Sequence, residues 1–289
     1  MRSDLVEALR PEQWVKNGFV LAAVVFSMHL GEIGPVMRSI AAFVLFCLAS
    51  SSAYVLNDLV DVNRDRSHAD KRSRPIASGR VSVGEARVLG SSLAAAALAG
   101  AAFLGSGMIL CVAAFLGLQA AYSLVLKHVP VADAVAIASG FVLRTAAGVV
   151  AAGAKMSAWL FLATFLLALF LALAKRRHEI LALGEDAALH RPALAPYARV
   201  PLDPLIVGLA LLVVGLYGQY TLDADVAARF GTGRLYLTVP FVVFGVFRYL
   251  FLIYGRNRGG NPTDALLGDR PLLVAVALWA AAVVALIYT

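Results

Sequence analysis

Apolar residues fill most of this chain in long continuous stretches, broken by short clusters of glycine, proline and charge. A helix that crosses the hydrocarbon core of a bilayer needs about 20 mostly apolar residues. Stretches of that kind fall at roughly 15–31, 36–56, 86–106, 108–125, 131–153, 157–175, 203–221, 235–254 and 271–288. Turn-forming residues mark the breaks, as in Gly31-Glu32-Ile33-Gly34-Pro35 and Gly105-Ser106-Gly107. The stretches are continuous and do not alternate apolar with polar positions, which argues against a β-barrel. The pattern predicts an all-α polytopic membrane protein with nine transmembrane helices, forming one transmembrane domain over residues 1–289.

Composition sharpens this picture. The 289 residues are 61% hydrophobic and only 15% charged, with a mean hydropathy of +0.80. Soluble domains carry roughly 25% charged residues, so this inventory cannot cover a water-facing surface. The net charge of +7 and pI near 9.6 would suggest nucleic acid in a soluble protein. Topology explains it here without such a partner, because basic residues are retained on the cytoplasmic side. With the N-terminus inside, 19 Lys and Arg fall on that face, against Arg38, Lys155, Arg229 and Arg234 on the other. The split predicts a multi-pass protein of the plasma (inner) membrane, with a cytoplasmic N-terminus and Thr289 outside. No cleavage site of small residues follows the first apolar run, so no cleavable signal peptide is expected. Cys47 and Cys111 stand inside apolar runs at no metal or redox spacing and read as packing residues.

Two connections on the cytoplasmic side carry most of the polar chemistry, at about 57–85 and about 175–199. The first opens Asn57-Asp58-Leu59-Val60-Asp61-Val62-Asn63-Arg64-Asp65. Asn57, Asp58, Asp61 and Asp65 share one face of a continuing helix. Its carboxylates then span about 10 Å, near the size of a diphosphate with its metal ions. Crowded carboxylates need a cation between them, and hard oxygen ligands of this kind select Mg²⁺ bridged to substrate phosphates. Asp61-x-Asn63-x-Asp65 mimics the opening of a calcium loop. The Gly and Glu that such a loop requires are replaced by Arg66 and Arg72. Downstream, Lys71, Arg72, Arg74 and Arg80 suit a substrate with more negative charge than the metal neutralises, or simply anchor topology. His68 is either an acid–base group or an exposed loop histidine.

The second connection opens Lys175-Arg176-Arg177-His178-Glu179, a set that either binds phosphate directly or pairs internally through Lys175 and Glu179 at i, i+4. Arg144 lies well inside the fifth stretch. Facing lipid it would cost at least about 2.5–3.5 kcal/mol, so it must face the bundle, as a phosphate ligand or in an ion pair. Lys127 closes the fourth stretch, either snorkelling or binding an anion.

These residues resemble the UbiA superfamily of intramembrane prenyltransferases. Asn57-Asp58-x-x-Asp61-x-x-x-Asp65 is similar to its first aspartate-rich motif, and nine spans fit its bundle. Within it, the likeness is to the decaprenyl-phosphate phosphoribosyltransferase branch. That likeness rests on Arg10-Pro11-x-Gln13-Trp14-Val15-Lys16-Asn17, Lys71-Arg72-x-Arg74-Pro75-Ile76-Ala77-Ser78-Gly79, Tyr122-Ser123-x-x-Leu126-Lys127, Gly140-Phe141-Val142-Leu143-Arg144 and Lys175-Arg176-Arg177-x-Glu179. The resemblance implies transfer of 5-phosphoribose from phosphoribosyl pyrophosphate to a polyprenyl phosphate, with Mg²⁺, for cell-wall arabinan precursors. It implies a metal cradle of Asn57, Asp58, Asp61 and Asp65. It also implies substrate contacts at Lys16, Asn17, Arg72, Arg74, Tyr122, Lys127, Arg144, Lys175, Arg176, Arg177 and Glu179. The family's second motif is aspartate-rich, whereas this chain reads Lys-Arg-Arg-x-Glu, which favours a donor with an extra phosphate. The runner-up is prenyl transfer from a polyprenyl diphosphate to an aromatic acceptor, and the non-enzymatic alternative is a carrier of an anionic metabolite. Membrane lipids are the surrounding partner, and homo-oligomerisation stays open.

Overall fold

The protein was analysed as a computed structural model, which describes all residues except 1, 69–70, 156, 184–193, 198–199 and 256–261. The expected Arg191, Arg199, Arg256 and Arg258 of the basic face, and the acidic Glu185 and Asp186, lie outside the described residues. The described chain is helical, in the order α1 Arg2–Leu9, α2 Gly18–Phe26, α3 Ile33–Val60, α4 Val62–Ser67, α5 Val83–Leu104, α6 Ser106–Leu124 and α7 Ala132–Ala152. There follow α8 Ala158–Leu183, α9 Leu194–Tyr197, α10 Leu202–Leu222, α11 Ala224–Phe230, α12 Val239–Gly255, α13 Pro262–Gly268 and α14 Arg270–Tyr288.

Eight of the described helices are long and apolar enough to cross a membrane, the first being Ile33–Val60 and the last Arg270–Tyr288. They match eight of the nine expected stretches. The remaining one, 15–31, is instead a 3₁₀ helix, Pro11–Asn17, running into the nine-residue helix Gly18–Phe26. A 3₁₀ turn rises about 2 Å per residue against about 1.5 Å in an α-helix, so the two pieces together reach about 27 Å. Large apolar side chains on the outer surface, such as Phe103 and Ile33 at 90% and 83% exposure, are those of a chain solvated by lipid.

The chain divides into two compact units. The first comprises Met1–Lys127 and Gly140–Met156, and the second His128–Ser139 and Ser157–Thr289. In the first, α3 packs against α5, α6 and α2. The contact surface is built from fully buried small residues, Ala42, Ala49, Ala97, Ala101, Ala147 and Ala151, around the Phe46–Phe115 ring pair at 5.2 Å. Small residues suit this role because lipid tails are as apolar as leucine. Helix association in a bilayer therefore depends on close backbone approach. Gly148 is the extreme case, since a Cβ there would lie 2.1 Å from the Val20 carbonyl oxygen. Arg38 bonds the carbonyls of Ala151 and Leu104 at 3.2 and 2.9 Å, satisfying the open C-terminal ends of α7 and α5.

In the second unit, α8 packs on α10, and α12 on α10 and α14. The core there joins Phe170 edge-on to Tyr249 with Ile206, Leu252 and Ile253.

Helix α3 sets the position of the site. Its 28 residues measure about 42 Å, well beyond the roughly 30 Å of hydrocarbon, so the helix is long enough to carry polar turns clear of the apolar layer. Asn57 and Asp58 are in its last turns. The connection then folds back on itself: Arg66 donates to the Ala77 carbonyl and Val81 to the Pro75 carbonyl. Gly79 sits at φ +81, a backbone state that side chains disfavour, and lets the chain reverse. Ser82 and Glu85 then start α5 with reciprocal side-chain to backbone bonds, a capping box.

Candidate active site

The acidic motif straddles a joint rather than one continuing helix. Helix α3 ends at Val60, Asp61 takes φ −93 and ψ 5, and α4 resumes at Val62. Helical hydrogen bonds persist across the joint, from Asp61 to Asn57 and from Asp65 to Asp61. The bend draws the outer carboxylates together. Arg74 Nη1 touches Asp58 Oδ1 at 3.2 Å and Asp65 Oδ2 at 2.7 Å, so one nitrogen bridges both. The expected separation of about 10 Å assumed a straight helix.

Asp65 is matched by Arg74 of the same connection, and Asp58 and Asp61 by cations from distant parts of the first unit. Arg10 Nη2 bonds both oxygens of Asp58, at 2.5 and 2.6 Å. Lys127 Nζ lies 2.7 Å from each oxygen of Asp61 and 3.3 Å from Asn57 Oδ1. Asp58, Asp65 and Lys127 are nearly buried, at 3%, 2% and 5% exposure. Charges removed from water to this degree persist only when paired. Arg10 is held at φ +53, a left-handed conformation rare for a side-chain-bearing residue, as it turns from α1 into the 3₁₀ helix. Its guanidinium also stands 5.3 Å from the Tyr54 ring. Sequence reasoning gave Arg10 no role of its own. The signal was its place in the Arg10-Pro11 block, but its partner lies 48 positions away.

Four oxygen-bearing side chains, Asn57, Asp58, Asp61 and Asp65, form a donor set that fits a hard divalent cation. The bridging Arg74 nitrogen stands where positive charge is needed. Among the described residues no three His, Cys, Asp or Glu side chains converge on one point. Holding a metal therefore requires these carboxylates to turn from their guanidinium and ammonium partners.

Around this centre, Lys16 and Asn17 belong to the 3₁₀ helix Pro11–Asn17, and Tyr122 to the last turn of α6. Arg72 is exposed on the short 3₁₀ helix Lys71–Ser73. Arg80 ties the connection to α1, bonding Asp4 at 2.6 Å and Glu7 at 2.8 Å. These hydrogen bonds raise its pKa further above the ordinary arginine range. Below the carboxylates, three consecutive serines of α3 reach three partners. Ser52 donates to the Gly90 carbonyl, Ser51 accepts from Trp14 Nε1, and Ser50 accepts from Asn17 Nδ2. Asn17, wholly buried, in turn accepts from Arg144 Nε at 2.8 Å.

Arg144 is 3% exposed and bonds the Gly140 carbonyl at 2.9 Å, with Phe115 and Phe141 flanking its guanidinium. It has no carboxylate partner among the described residues. The ion-pair reading of Arg144 is therefore corrected: its charge is held by an amide, a carbonyl and two ring faces.

The basic triplet of the second connection is not in a loop, because α8 continues to Leu183. Arg176 has no exposed surface and pairs with Asp133 at 2.8 Å and with Glu179. Arg176, which the sequence offered to phosphate, thus sits here in an interior ion pair. Lys175 lies 3.9 Å from Glu179. Arg177 pairs with Asp203 and stacks 4.3 Å from the Tyr254 ring centre. Asp133 and Tyr197 were not singled out in the sequence. The Tyr197 hydroxyl donates to Asp133 Oδ1 at 2.8 Å and accepts from Val131 N–H at 2.7 Å. Burial, followed by the Asp133 carboxylate, raises the Tyr197 pKa well above its usual value. Val131 sits at φ +68, strained for a β-branched residue, and the Tyr197 bond helps hold it there.

A polytopic helical membrane protein with a buried acidic motif caged by basic residues defines a narrow class. Residues 18–263 match the family model described as the UbiA prenyltransferase family, and the chain belongs to that family. It is 34% identical to the decaprenyl-phosphate phosphoribosyltransferase of Mycolicibacterium smegmatis, covering 99% of this chain and 93% of that protein. It is also 34% identical to the Corynebacterium glutamicum enzyme of the same name, covering 100% of this chain and 88% of that protein. Among solved structures, a UbiA homolog from Archaeoglobus fulgidus bound to GPP and Mg²⁺ superposes with a TM-score of 0.73. Its identity is 22%, and the match covers 99% of this chain and all of that one.

Proposed function

We propose that this chain transfers 5-phosphoribose from phosphoribosyl pyrophosphate to a polyprenyl phosphate. The products are polyprenyl-phosphoryl-5-phosphoribose and pyrophosphate. The reading rests on one observation: near full-length similarity to two decaprenyl-phosphate phosphoribosyltransferases at 34% identity. The caged acidic motif supports it, because a donor with three phosphate groups needs both metal-binding carboxylates and several cations nearby.

Asn57, Asp58, Asp61 and Asp65 would hold Mg²⁺, which when bound supplies Lewis-acid neutralisation of the departing pyrophosphate. Arg10, Arg74 and Lys127 are the cations released when the carboxylates turn away, and they take the donor's phosphates instead. Arginine is suited to this exchange because its planar fork fits carboxylate and phosphate alike. Arg72, exposed on the same connection, and Lys16 supply further charge. An oxygen of the lipid phosphate forms a bond to the ribose C1 as the bond from C1 to the pyrophosphate oxygen breaks. The electron pair leaves with pyrophosphate. The lipid phosphate is already an anion near neutral pH, so no general base is required.

The proposed setting is the plasma membrane, with the carboxylates on the cytoplasmic side and the Pro11–Phe26 segment dipping into the bilayer as the ninth apolar element. The test is a single-turnover assay on purified protein with labelled phosphoribosyl pyrophosphate, Mg²⁺ and a polyprenyl phosphate. Chelator-sensitive transfer of label into the lipid fraction is the expected result. No transfer, with product formed instead from a prenyl diphosphate and an aromatic acid, would replace this reading by prenyl transfer.

A further inference from the structure

Three lysine or arginine side chains are buried among the described residues: Lys127, Arg144 and Arg176. Two are neutralised, Lys127 by Asp61 and Arg176 by Asp133 and Glu179. Arg144 has no such partner among the described residues. Its Nε is spent on Asn17 Oδ1 and its Nη1 on the Gly140 carbonyl, while Nη2 donates to no described protein atom. A guanidinium carries five N–H donors, so the group retains unused hydrogen-bonding capacity as well as an unbalanced charge. Natural proteins rarely keep a buried charge uncompensated unless a ligand completes it.

Its place along α3 says which ligand. Arg144 binds Asn17, and Asn17 binds Ser50. Ser50 precedes Asp58 by eight residues, so this level lies about 12 Å along the helix from the carboxylates. The direction is toward the N-terminal, apolar part of α3, away from the end that bears the carboxylates. Between the two levels stands Tyr54, beneath Arg10. The walls at the deeper level are Phe115 and Phe141, at 4.6 and 5.2 Å from the guanidinium. A water-soluble donor anchored on the carboxylates has its charge at the upper level. An anion that arrives from the bilayer on an apolar tail has its charge at the lower one.

We infer that Arg144, oriented by Asn17, is the seat of the acceptor's phosphate monoester, apart from the cations that serve the donor. This assignment rests on the phosphoribosyl-transfer reading for its substrate, but its binding claim can be tested without turnover. Asn17 presents an amide oxygen to Arg144. A carboxylate in the same place would neutralise the cation and leave nothing for the ligand. Asn17 is thus the residue that keeps the seat positive, and Asn17→Asp is the sharpest way to close it.

The experiment uses the full chain in detergent micelles and follows binding by the ligand-induced shift of thermal unfolding. Four probes are compared: decaprenyl phosphate, the uncharged decaprenol, ribose 5-phosphate, and phosphoribosyl pyrophosphate with Mg²⁺. Wild-type protein is expected to be stabilised by decaprenyl phosphate and not by decaprenol. Arg144→Met and Asn17→Asp should each weaken decaprenyl phosphate binding by roughly tenfold or more while changing donor affinity less than about twofold. Arg144→Lys, which keeps the charge but loses the fork, should fall between wild type and Arg144→Met. Should Arg144→Met give no unfolding transition, Arg144→Lys and Asn17→Asp carry the test. Decaprenyl phosphate affinity unchanged in Asn17→Asp would overturn the assignment. So would a selective loss of ribose 5-phosphate or donor binding, which would move Arg144 to the donor. Arg144-dependent binding of decaprenyl phosphate in a protein that transfers no phosphoribose would uphold the seat and overturn the reaction.

Discussion

The two polar connections are electrostatic opposites, and each draws part of its counter-charge from outside itself. In the first, Asp58, Asp61 and Asp65 are met by Arg10, Arg74 and Lys127. In the second, Lys175, Arg176 and Arg177 are met by Glu179, Asp133 and Asp203. What separates them is how the cations are held. Arg10 and Arg74 retain 21% and 27% exposure and approach from flexible stems, so they can leave and be replaced. Arg176 and Asp133 have none, and Asp133 is further bonded to Tyr197 and to Ala134 N–H. In the first cluster Arg10 and Arg74 are thus open to exchange, while Lys127 is itself nearly buried against Asp61. In the second, the Arg176–Asp133 pair is sealed and serves as an internal lock, while Lys175 and Asp203 stand 40% and 57% exposed. A charged run in a sequence therefore does not reveal its role until the burial of its partners is known.

That contrast can be broken in several ways. The largest effect is expected from Arg176→Ala. Leaving Asp133 charged and unpaired in the interior should cost about 3–5 kcal/mol. It should appear as a large drop in the thermal unfolding midpoint in detergent, with the double change Arg176→Met and Asp133→Leu recovering much of it. A midpoint within error of wild type would mean the second cluster is no lock. Next, Asp58→Asn should lower turnover by about a hundredfold while leaving the folded fraction intact, since even the outer supports of a metal's ligands carry about 10–100-fold. Turnover near wild type would remove Asp58 from the metal cradle. Tyr197→Phe should cost about 1–3 kcal/mol, because Val131 N–H and Asp133 lose a buried partner. Substrate affinities should not change, and a shift in donor KM would show that the turn at Val131 serves the chemistry. The smallest effect belongs to Arg80→Ala. Its exposed pairing with Asp4 and Glu7 should leave the unfolding midpoint unchanged in 0.5 M salt, and a salt-independent loss would contradict a screened surface contact.

Much of the fold is legible residue by residue. Ile33–Val60, Arg270–Tyr288 and the six spans between them correspond to apolar stretches visible in the sequence. The segment 15–31 is the exception, because its apolar content is real while its backbone is not one α-helix. Pro11 starts a 3₁₀ helix that places Trp14 and Asn17 on the serines of α3. At the site, the spacing Asn57, Asp58, Asp61, Asp65 placed the acidic residues at one end of α3 and the turn that follows. The bend at Asp61 and the bridging Arg74 did not show in it. Arg177, a basic residue that the sequence offered to phosphate, pairs with Asp203 and stacks on Tyr254, partners that its place in the chain did not show.

By itself the sequence determined the solvent of this protein, its helical class and the identity of its acidic motif. All three rest on local facts: a continuous apolar run must be lipid-solvated, an isolated span must satisfy its own backbone as a helix, and carboxylates four residues apart must share a face. The tertiary structure alone decided which charges meet. Arg10 comes from 48 positions before Asp58 and Lys127 from 66 positions after Asp61. The strength of a charge pair is set by separation in space and by the loss of surrounding water, and neither is a property of position along the chain.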